Sequence, residues 1–148
     1  MSDNEPLPHA WHIEDREYRR QEERRGRRFA YSGPLSDRLW HGFTVGADDV
    51  LVEKTAPSAF FPGHCPLPER LEARGIDTVL ITGTVTNVCC ESSARDASTL
   101  GYRVVMLADA NATGRDQDHN ATLHTVYRSF GDVRPTAEVL ALIDGGAF

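Results

Sequence analysis

Continuous apolar runs that alternate with helical segments constrain the fold of this chain more than any other feature of its sequence. The runs 78–82 and 103–108 have the uninterrupted apolar interiors that are typical of strands buried on both faces of a parallel sheet. Helical patterns at 89–100, 116–130 and 135–144 follow or separate these runs. Strands and helices in this order form βαβ units. We therefore predict an α/β fold, a three-layer αβα sandwich around a parallel, Rossmann-like sheet.

The chain divides into two regions of different composition. Residues 1–40 contain three prolines and an arginine-rich run of interleaved charges, which is typical of a solvated segment. Residues 41–148 have the texture of a folded domain, and in them we predict a further strand at 50–54 and a helix at 66–74. We therefore expect a charged, poorly packed N-terminal segment followed by one domain.

Charge and hydropathy exclude two classes of function. A net charge of -6 argues against a protein whose main task is to bind nucleic acid, because affinity for phosphate depends largely on a basic surface. No apolar run reaches the roughly 18 to 20 residues that span a bilayer, and the N-terminus has no apolar signal segment. We expect a soluble, cytoplasmic protein that acts on a small molecule and contacts neither nucleic acid nor membrane.

The cysteines and the single lysine are the informative reactive residues. Cys65, Cys89 and Cys90 are odd in number and two are adjacent, so they do not form a disulfide framework and are expected to be thiols. Lys54 is the only lysine of a chain that otherwise uses arginine. This bias indicates a position that requires a compact ammonium, which a guanidinium cannot replace.

The predicted topology brings Lys54 and Cys89 to the same edge of the sheet. Segments 53–61 and 83–90 each follow a predicted strand, and in open α/β sheets binding sites collect at the carboxyl ends of the strands. A cysteine at a helix N-terminus beside an ammonium has a lowered pKa, which favours a thiolate nucleophile. The spacing alone fits an inert buried thiol equally well.

Three stretches carry a resemblance to a known family. They are Lys54 with Ser58-Ala59-Phe60-Phe61, the motif Gly-x-x-Thr-Asn-x-Cys at 83–89, and Glu-Ser-Ser-Ala-Arg-Asp-Ala at 91–97. Over roughly residues 49–144 the chain resembles the isochorismatase-like cysteine hydrolases, which include nicotinamidases and ureidoacrylate amidohydrolases. The resemblance implies a cysteine amidohydrolase that acts on a small amide or ureide through an acyl-thioester, and it requires no metal or other cofactor.

The resemblance also implies roles for single residues. Cys89 corresponds to the nucleophile and Lys54 to the lysine that steadies the thiolate. The backbone N–H groups of Val85 and Cys89 correspond to the oxyanion hole, and Thr84–Val85 is the candidate for the family's cis peptide bond. Cys90 stands where relatives carry an apolar residue, so we interpret it as a small core side chain.

Three further residues are candidates for the substrate pocket. Phe60 and Phe61 either form a wall of this pocket or are ordinary core aromatics. Asn87, within the motif, is the third candidate.

One part of the family pattern has no counterpart. Relatives carry a catalytic aspartate at the end of their first strand, and no such stretch precedes Lys54 here; Asp15, Asp48 and Asp49 are unconvincing substitutes. The chain thus resembles an N-terminally truncated member whose first strands are missing, through either a misplaced start or a genuine truncation. We expect a sheet that is less stable or is completed by another subunit, hence a homo-oligomer.

Three functions remain open on the sequence. The first is an amidohydrolase impaired by the loss of the aspartate. The second is a catalytically inactive remnant that binds a small molecule or a partner chain. The third and weakest is an anion-binding module that uses the arginine-rich run and would bind in a strongly salt-dependent way.

Overall fold

The structure, a computed structural model, describes residues 34–146, with the side chains of Ser36 and Arg38 left aside. Most of the predicted charged segment, together with Asp15, lies outside these residues. The chain divides into two compact units at Val45 and Gly46, near the predicted boundary between residues 40 and 41. The described part of the first unit contains a short 3₁₀ turn, and the elements below all belong to the second.

The second unit consists of three strands and four helices in alternating order. The elements are α1 (Leu67–Glu72), β1 (Thr78–Thr84), a π-helical turn (Thr86–Cys90), α2 (Glu91–Thr99), β2 (Arg103–Ala112), α3 (Asp116–Ser129), β3 (Asp132–Arg134) and α4 (Thr136–Asp144). The strands are parallel and lie in the order β1-β2-β3. The predicted α/β fold with a parallel sheet is confirmed. Within residues 34–146 no helix combines the length and the apolar character needed to cross a membrane.

The central strand β2 presents apolar side chains on both of its faces, and helices cover both faces. One face presents Val104 and Met106, which pack with β1 against residues of α2 and α3 such as Ala94 and Val126. The opposite face presents Val105 and Leu107 to Val139 of α4. Since successive residues of a strand point to opposite faces, this double covering explains the continuous apolar run.

Strand β1 is less well covered than β2. It pairs with β2 along one edge, and among residues 34–146 no strand pairs with its other edge. Leu80 is paired with Val105 and lies on the same face of the sheet. Helix α4 covers this face over β2 but not over β1, and Leu80 is 39% exposed. Ile76, just before the strand, is 38% exposed. The described domain therefore has an open sheet edge with apolar residues along it.

The predicted strand at 50–54 is wrong, because these residues have no regular secondary structure. A strand exists only through its ladder of hydrogen bonds, and within the described residues nothing in 50–54 pairs with the open edge of β1. Val50 and Leu51 are correspondingly exposed. The β-branched composition of the run favours a strand but supplies no partner for it.

Strand β2 is longer than predicted because it contains a bulge. The pairing moves from Ile81 opposite Met106 to Gly83 opposite Asn111, so several residues of β2 have no opposite residue. The buried amide of Asn111 donates hydrogen bonds to the carbonyl oxygens of Ile81, at 2.9 Å, and Leu107, at 2.6 Å. Its side chain therefore satisfies main-chain acceptors at the irregularity and holds the carboxyl ends of β1 and β2 together.

Candidate active site

Cys89 lies on the π-helical turn that connects β1 to α2, at the carboxyl end of the sheet. The carbonyl oxygen of Val85 accepts hydrogen bonds from the N–H groups of Val88, at 3.1 Å, and Cys90, at 3.3 Å. The second of these bonds spans five residues, which widens the turn relative to an α-helix. Cys89 was predicted at the first turn of an α-helix; it instead lies two residues before Glu91, the first residue of α2, and its side chain is half-buried.

The peptide bond between Thr84 and Val85 is cis, and it is the bond that the sequence analysis singled out. It lies where β1 ends and the π-helical turn is about to begin. Thr84 lines the cavity described below, whereas the Val85 side chain does not and is partly exposed. The backbone N–H groups of Val85 and Cys89 remain the candidate oxyanion donors.

Two polar contacts attach the turn to α3 and to the segment before it. The fully buried Thr86 places its hydroxyl 3.1 Å from Nδ1 of His119 on α3. Asn87 accepts a hydrogen bond through Oδ1 from the hydroxyl of Thr113, at 2.9 Å. These contacts give both polar residues of the motif a role in holding the turn.

Lys54 and Cys89 line the same cavity. The half-buried ammonium of Lys54 donates hydrogen bonds to the carbonyl oxygens of Ala56 and Pro57, both at 3.0 Å. An ion pair between this ammonium and a Cys89 thiolate stays a prediction. The pKa of the Cys90 thiol is raised to about 11. Burial is the largest cause and the neighbouring charge of Cys89 the second, while the charge of Lys54 lowers this pKa.

The cavity has a volume of about 500 Å³ and an apolar lining with few polar groups. It is lined by Lys54, Ala59, Phe60, Leu67, Leu71, Ile76, Thr78, Val79, Leu80, Ile81, Thr82, Thr84, Cys89, Cys90 and Ser93. We call this the Cys89 cavity. It extends along the side of β1 with which no described strand pairs, so this edge of the strand forms part of the site.

The three candidate pocket residues lie in different places. Phe60 is 2% exposed and both lines the Cys89 cavity and belongs to the core. Phe61 is 50% exposed and, like Asn87, is not among the lining residues. The ring of Phe61 therefore lies outside the cavity that the neighbouring Phe60 lines.

Ser93 was not singled out from the sequence, yet it lies between the turn that carries Cys89 and the segment that follows Lys54. Its hydroxyl donates to the carbonyl oxygen of Cys89, at 2.7 Å, and accepts from the N–H of Ala59, at 3.0 Å. The available signal was the spacing, because a serine four residues after another helical residue can reach back to its carbonyl oxygen. The contact with Ala59 spans 34 residues and has no local signature.

Carboxylates are absent from the lining among the residues that the structure describes. Glu91 is close to Cys89 in sequence, but it accepts hydrogen bonds from Arg95, at 2.5 Å, and from Thr122, at 2.6 Å. Asp49 accepts from the N–H of Gly46, at 2.7 Å, in an exposed turn. Residues 34–146 also contain no group of three or more His, Cys, Asp or Glu side chains that could hold a metal ion.

The comparisons with known proteins assign a family. The Isochorismatase domain model matches residues 4–138, and the chain belongs to this family. The match begins well before residue 49, where the motifs first become recognisable in the sequence.

Named relatives and solved structures agree with this assignment. The chain is 43% identical over 86 residues to Nicotinamidase 3 of Arabidopsis thaliana, covering 58% of this chain and 42% of that protein. It is 41% identical over 100 residues to Ureidoacrylate amidohydrolase RutB of Rhizobium rhizogenes, covering 67% and 40%. A cysteine hydrolase from Pseudomonas syringae pv. phaseolicola superposes with a TM-score of 0.67 at 36% identity, covering 72% of this chain and 55% of that one. The chain thus spans less than half the length of these two curated relatives.

Proposed function

We propose that this protein is a cysteine-dependent amidohydrolase that cleaves a small amide or ureide C–N bond with Cys89 as the nucleophile. The observation that carries the proposal is that Cys89 and Lys54, which are far apart in sequence, line one cavity at the carboxyl end of the sheet. A thiol that follows a β-strand at this edge, beside an ammonium, fits nucleophilic catalysis. Relatives named as a nicotinamidase and a ureidoacrylate amidohydrolase support an amide substrate.

The proposed reaction begins at Cys89 and proceeds through an acyl-thioester. The Cys89 thiolate attacks the substrate carbonyl carbon, and a C–S bond forms while the carbonyl oxygen becomes an oxyanion. The N–H groups of Val85 and Cys89 stabilise that oxyanion, and Lys54 stabilises the negative charge of the thiolate. The proton that the thiol lost goes to solvent water, and the leaving nitrogen takes up a proton from solvent water as the C–N bond breaks. A water molecule then hydrolyses the thioester, which releases the acid and regenerates the thiol.

The test of the proposed nucleophile is selective labelling. The folded protein is treated with limiting iodoacetamide at pH 7.5, and peptide mass spectrometry reports the labelled cysteine. We expect Cys89 to react first, because Cys65 and Cys90 are buried. An activated ester should acylate the same sulfur, and Cys89→Ser should abolish the adduct. Preferential labelling of Cys65 or Cys90 would refute the assignment.

One observation favours the second candidate, a catalytically impaired protein that binds a small molecule or a partner chain. Within residues 34–146 no carboxylate lines the Cys89 cavity, so the described site lacks the proton acceptor that the family aspartate supplies. A screen of nicotinamide, carbamoyl amino acids, ureides and isochorismate separates the candidates. Turnover that Cys89→Ser abolishes supports the enzyme, and a thermal shift without turnover supports the binding protein.

Location and assembly belong to the proposal as well. The three free thiols fit a reducing compartment, so we place the protein in the cytoplasm. Among residues 34–146 one edge of β1 has no strand paired with it and is lined by apolar residues, which fits a homo-oligomer. Light scattering coupled to size-exclusion chromatography tests the oligomeric state.

A further inference from the structure

Ser93 makes two hydrogen bonds whose direction follows from chemistry alone. The carbonyl oxygen of Cys89 can only accept, and the N–H of Ala59 can only donate. The single proton of the Ser93 hydroxyl is therefore donated to the carbonyl oxygen of Cys89, and a lone pair of the hydroxyl oxygen accepts the N–H of Ala59. Ser93 is 7% exposed, so water has little access to replace either bond.

Ser93 and Lys54 both form hydrogen bonds to the segment 56–59. The Lys54 ammonium donates to the carbonyl oxygens of Ala56 and Pro57, two and three residues further on. Ala59, which contacts Ser93, follows two residues after Pro57. A short chain of hydrogen bonds and peptide bonds thus connects the Lys54 ammonium to the carbonyl group of Cys89.

We propose that Ser93 is a positioning residue that fixes the Lys54 segment relative to Cys89. The inference rests on the proposed function, since it assigns Ser93 a role in activating the same nucleophile. Both hydrogen bonds of Ser93 go to main-chain atoms, so we assign it a positioning role, exerted through the placement of Lys54 relative to Cys89, and no chemical step. A displacement of about 1 Å is enough to weaken a catalytic arrangement strongly, which gives this connection its consequence.

The first experiment removes the hydroxyl and follows the reactivity of Cys89. The rate of Cys89 alkylation by iodoacetamide is measured between pH 5 and 10 in the wild type, Ser93→Ala and Ser93→Thr. In Ser93→Ala we expect the rate at pH 7 to fall at least about tenfold and the profile to move to higher pH. Ser93→Thr keeps a hydroxyl and should restore most of the rate. Ser92→Ala is the matched control, because Ser92 has no side-chain hydrogen bond within the described residues, and it should behave as the wild type.

The second experiment asks whether Ser93 acts through Lys54. Lys54→Met is combined with Ser93→Ala in a double-mutant cycle on the same alkylation profile. If Ser93 positions Lys54, Ser93→Ala has no further effect on the profile once Lys54 is gone. Additive effects would overturn the proposal, as would an unchanged profile in a folded Ser93→Ala.

A purely structural role predicts a different result. It would lower the unfolding temperature of Ser93→Ala and leave the alkylation profile where it is. Should Ser93→Ala not fold, Ala59→Pro removes the N–H donor on the Lys54 side, while also fixing the φ angle of residue 59, and carries the same expectation. If the wild type itself fails to label at Cys89, the proposed function fails; if only the profile of the variants is unchanged, this inference alone fails.

Discussion

The hydroxyl of Thr86 lies 3.1 Å from Nδ1 of His119, and Thr86 is completely buried. Thr86 belongs to the turn that carries Cys89, whereas His119 belongs to α3, which follows β2 along the chain. The contact therefore fixes the position of the turn that carries Cys89 against a helix that contributes nothing to the cavity lining.

Thr86→Val should weaken this attachment without changing the volume of the side chain. Loss of the hydrogen bond is expected to lower the free energy of unfolding by about 1 kcal/mol, measured by urea denaturation. Alkylation of Cys89 should also slow, because the turn loses its contact with His119. Thr99→Val is the control, since the Thr99 hydroxyl contacts only its own helix at an exposed position. Equal alkylation rates in the two variants would contradict a role for Thr86 in holding the turn.

The pH dependence of stability should report the burial of Cys90. Its pKa is raised from 9.0 to about 11 by burial first and by the charge of Cys89 second. A group whose pKa is raised on folding stabilises the protein fully below its unfolded pKa, and this contribution is lost as the pH rises through the folded value. Between pH 9 and 11 the wild type should lose stability more steeply than Cys90→Ala. Denaturation curves in urea at each pH give the difference, and parallel curves would contradict the expectation.

Asp109 should contribute a stabilisation that disappears in acid. Its Oδ1 accepts hydrogen bonds from the hydroxyl of Thr136, at 2.7 Å, and from the Thr136 N–H, at 2.8 Å, at the start of α4. These bonds lower the pKa of Asp109, with the hydroxyl contributing most. Because the folded pKa is the lower one, the stabilisation is present above the unfolded value of 3.8 and is lost as the pH falls through the folded value.

Asp109→Asn therefore should melt below the wild type at pH 7, and the gap should close toward pH 2. Thermal denaturation followed by circular dichroism measures both. Asp48→Asn is the control, since the Asp48 side chain makes no hydrogen bond within the described residues, and its melting temperature should stay with the wild type. A gap that persists at pH 2 would indicate that the carboxylate charge is irrelevant to the contact between Asp109 and Thr136.

The comparison between sequence and structure shows which physical information is local. The strands around Val79 and Val105 are predictable, since a strand covered on both faces needs an uninterrupted apolar run. The ends of α1 and α2 are predictable too, because a glycine follows each helix within three residues: Gly75 and Gly101 adopt positive φ angles, 66° and 94°, that other residues avoid. These features depend only on neighbouring residues.

The features that were mispredicted or missed depend on distant partners. Residues 50–54 have the composition of a strand, but a strand is decided by what pairs with it. The bulge that Asn111 spans and the five-residue hydrogen bond from Cys90 to Val85 likewise follow from packing rather than from propensity. Motifs locate Cys89 and Lys54, yet the bridge through Ser93 that connects them is visible only in three dimensions.

Lys54→Arg should not be conservative. The ammonium makes two hydrogen bonds to carbonyl groups only two and three residues away, which leaves little room for the longer, planar guanidinium. We expect Cys89 alkylation at pH 7 to slow by a similar factor in Lys54→Arg and Lys54→Met. The exchange Arg74→Lys at an exposed position is the control and should have no effect. Wild-type reactivity in Lys54→Arg would show that charge alone suffices.

Turnover should be low and should respond to added carboxylate. Since no described carboxylate lines the Cys89 cavity, acylation of Cys89 is expected to be slow and steady-state hydrolysis to fall about 10⁴-fold below a site with a complete triad. Formate is small enough to enter a cavity of about 500 Å³ and can accept the thiol proton there. Sodium formate should therefore raise the hydrolysis rate in proportion to its concentration, measured with an activated ester, whereas sodium chloride at equal ionic strength should not.

Cys89→Ser should show no response to formate, which separates rescue from solvent catalysis. Turnover at the level of a complete triad without formate would contradict the expectation and would mean that another carboxylate serves the site. Asp15, Asp48 and Asp49 would then be replaced by asparagine one at a time. The variant that loses turnover and regains it with formate would identify the proton acceptor, because only a missing carboxylate can be replaced by an added one.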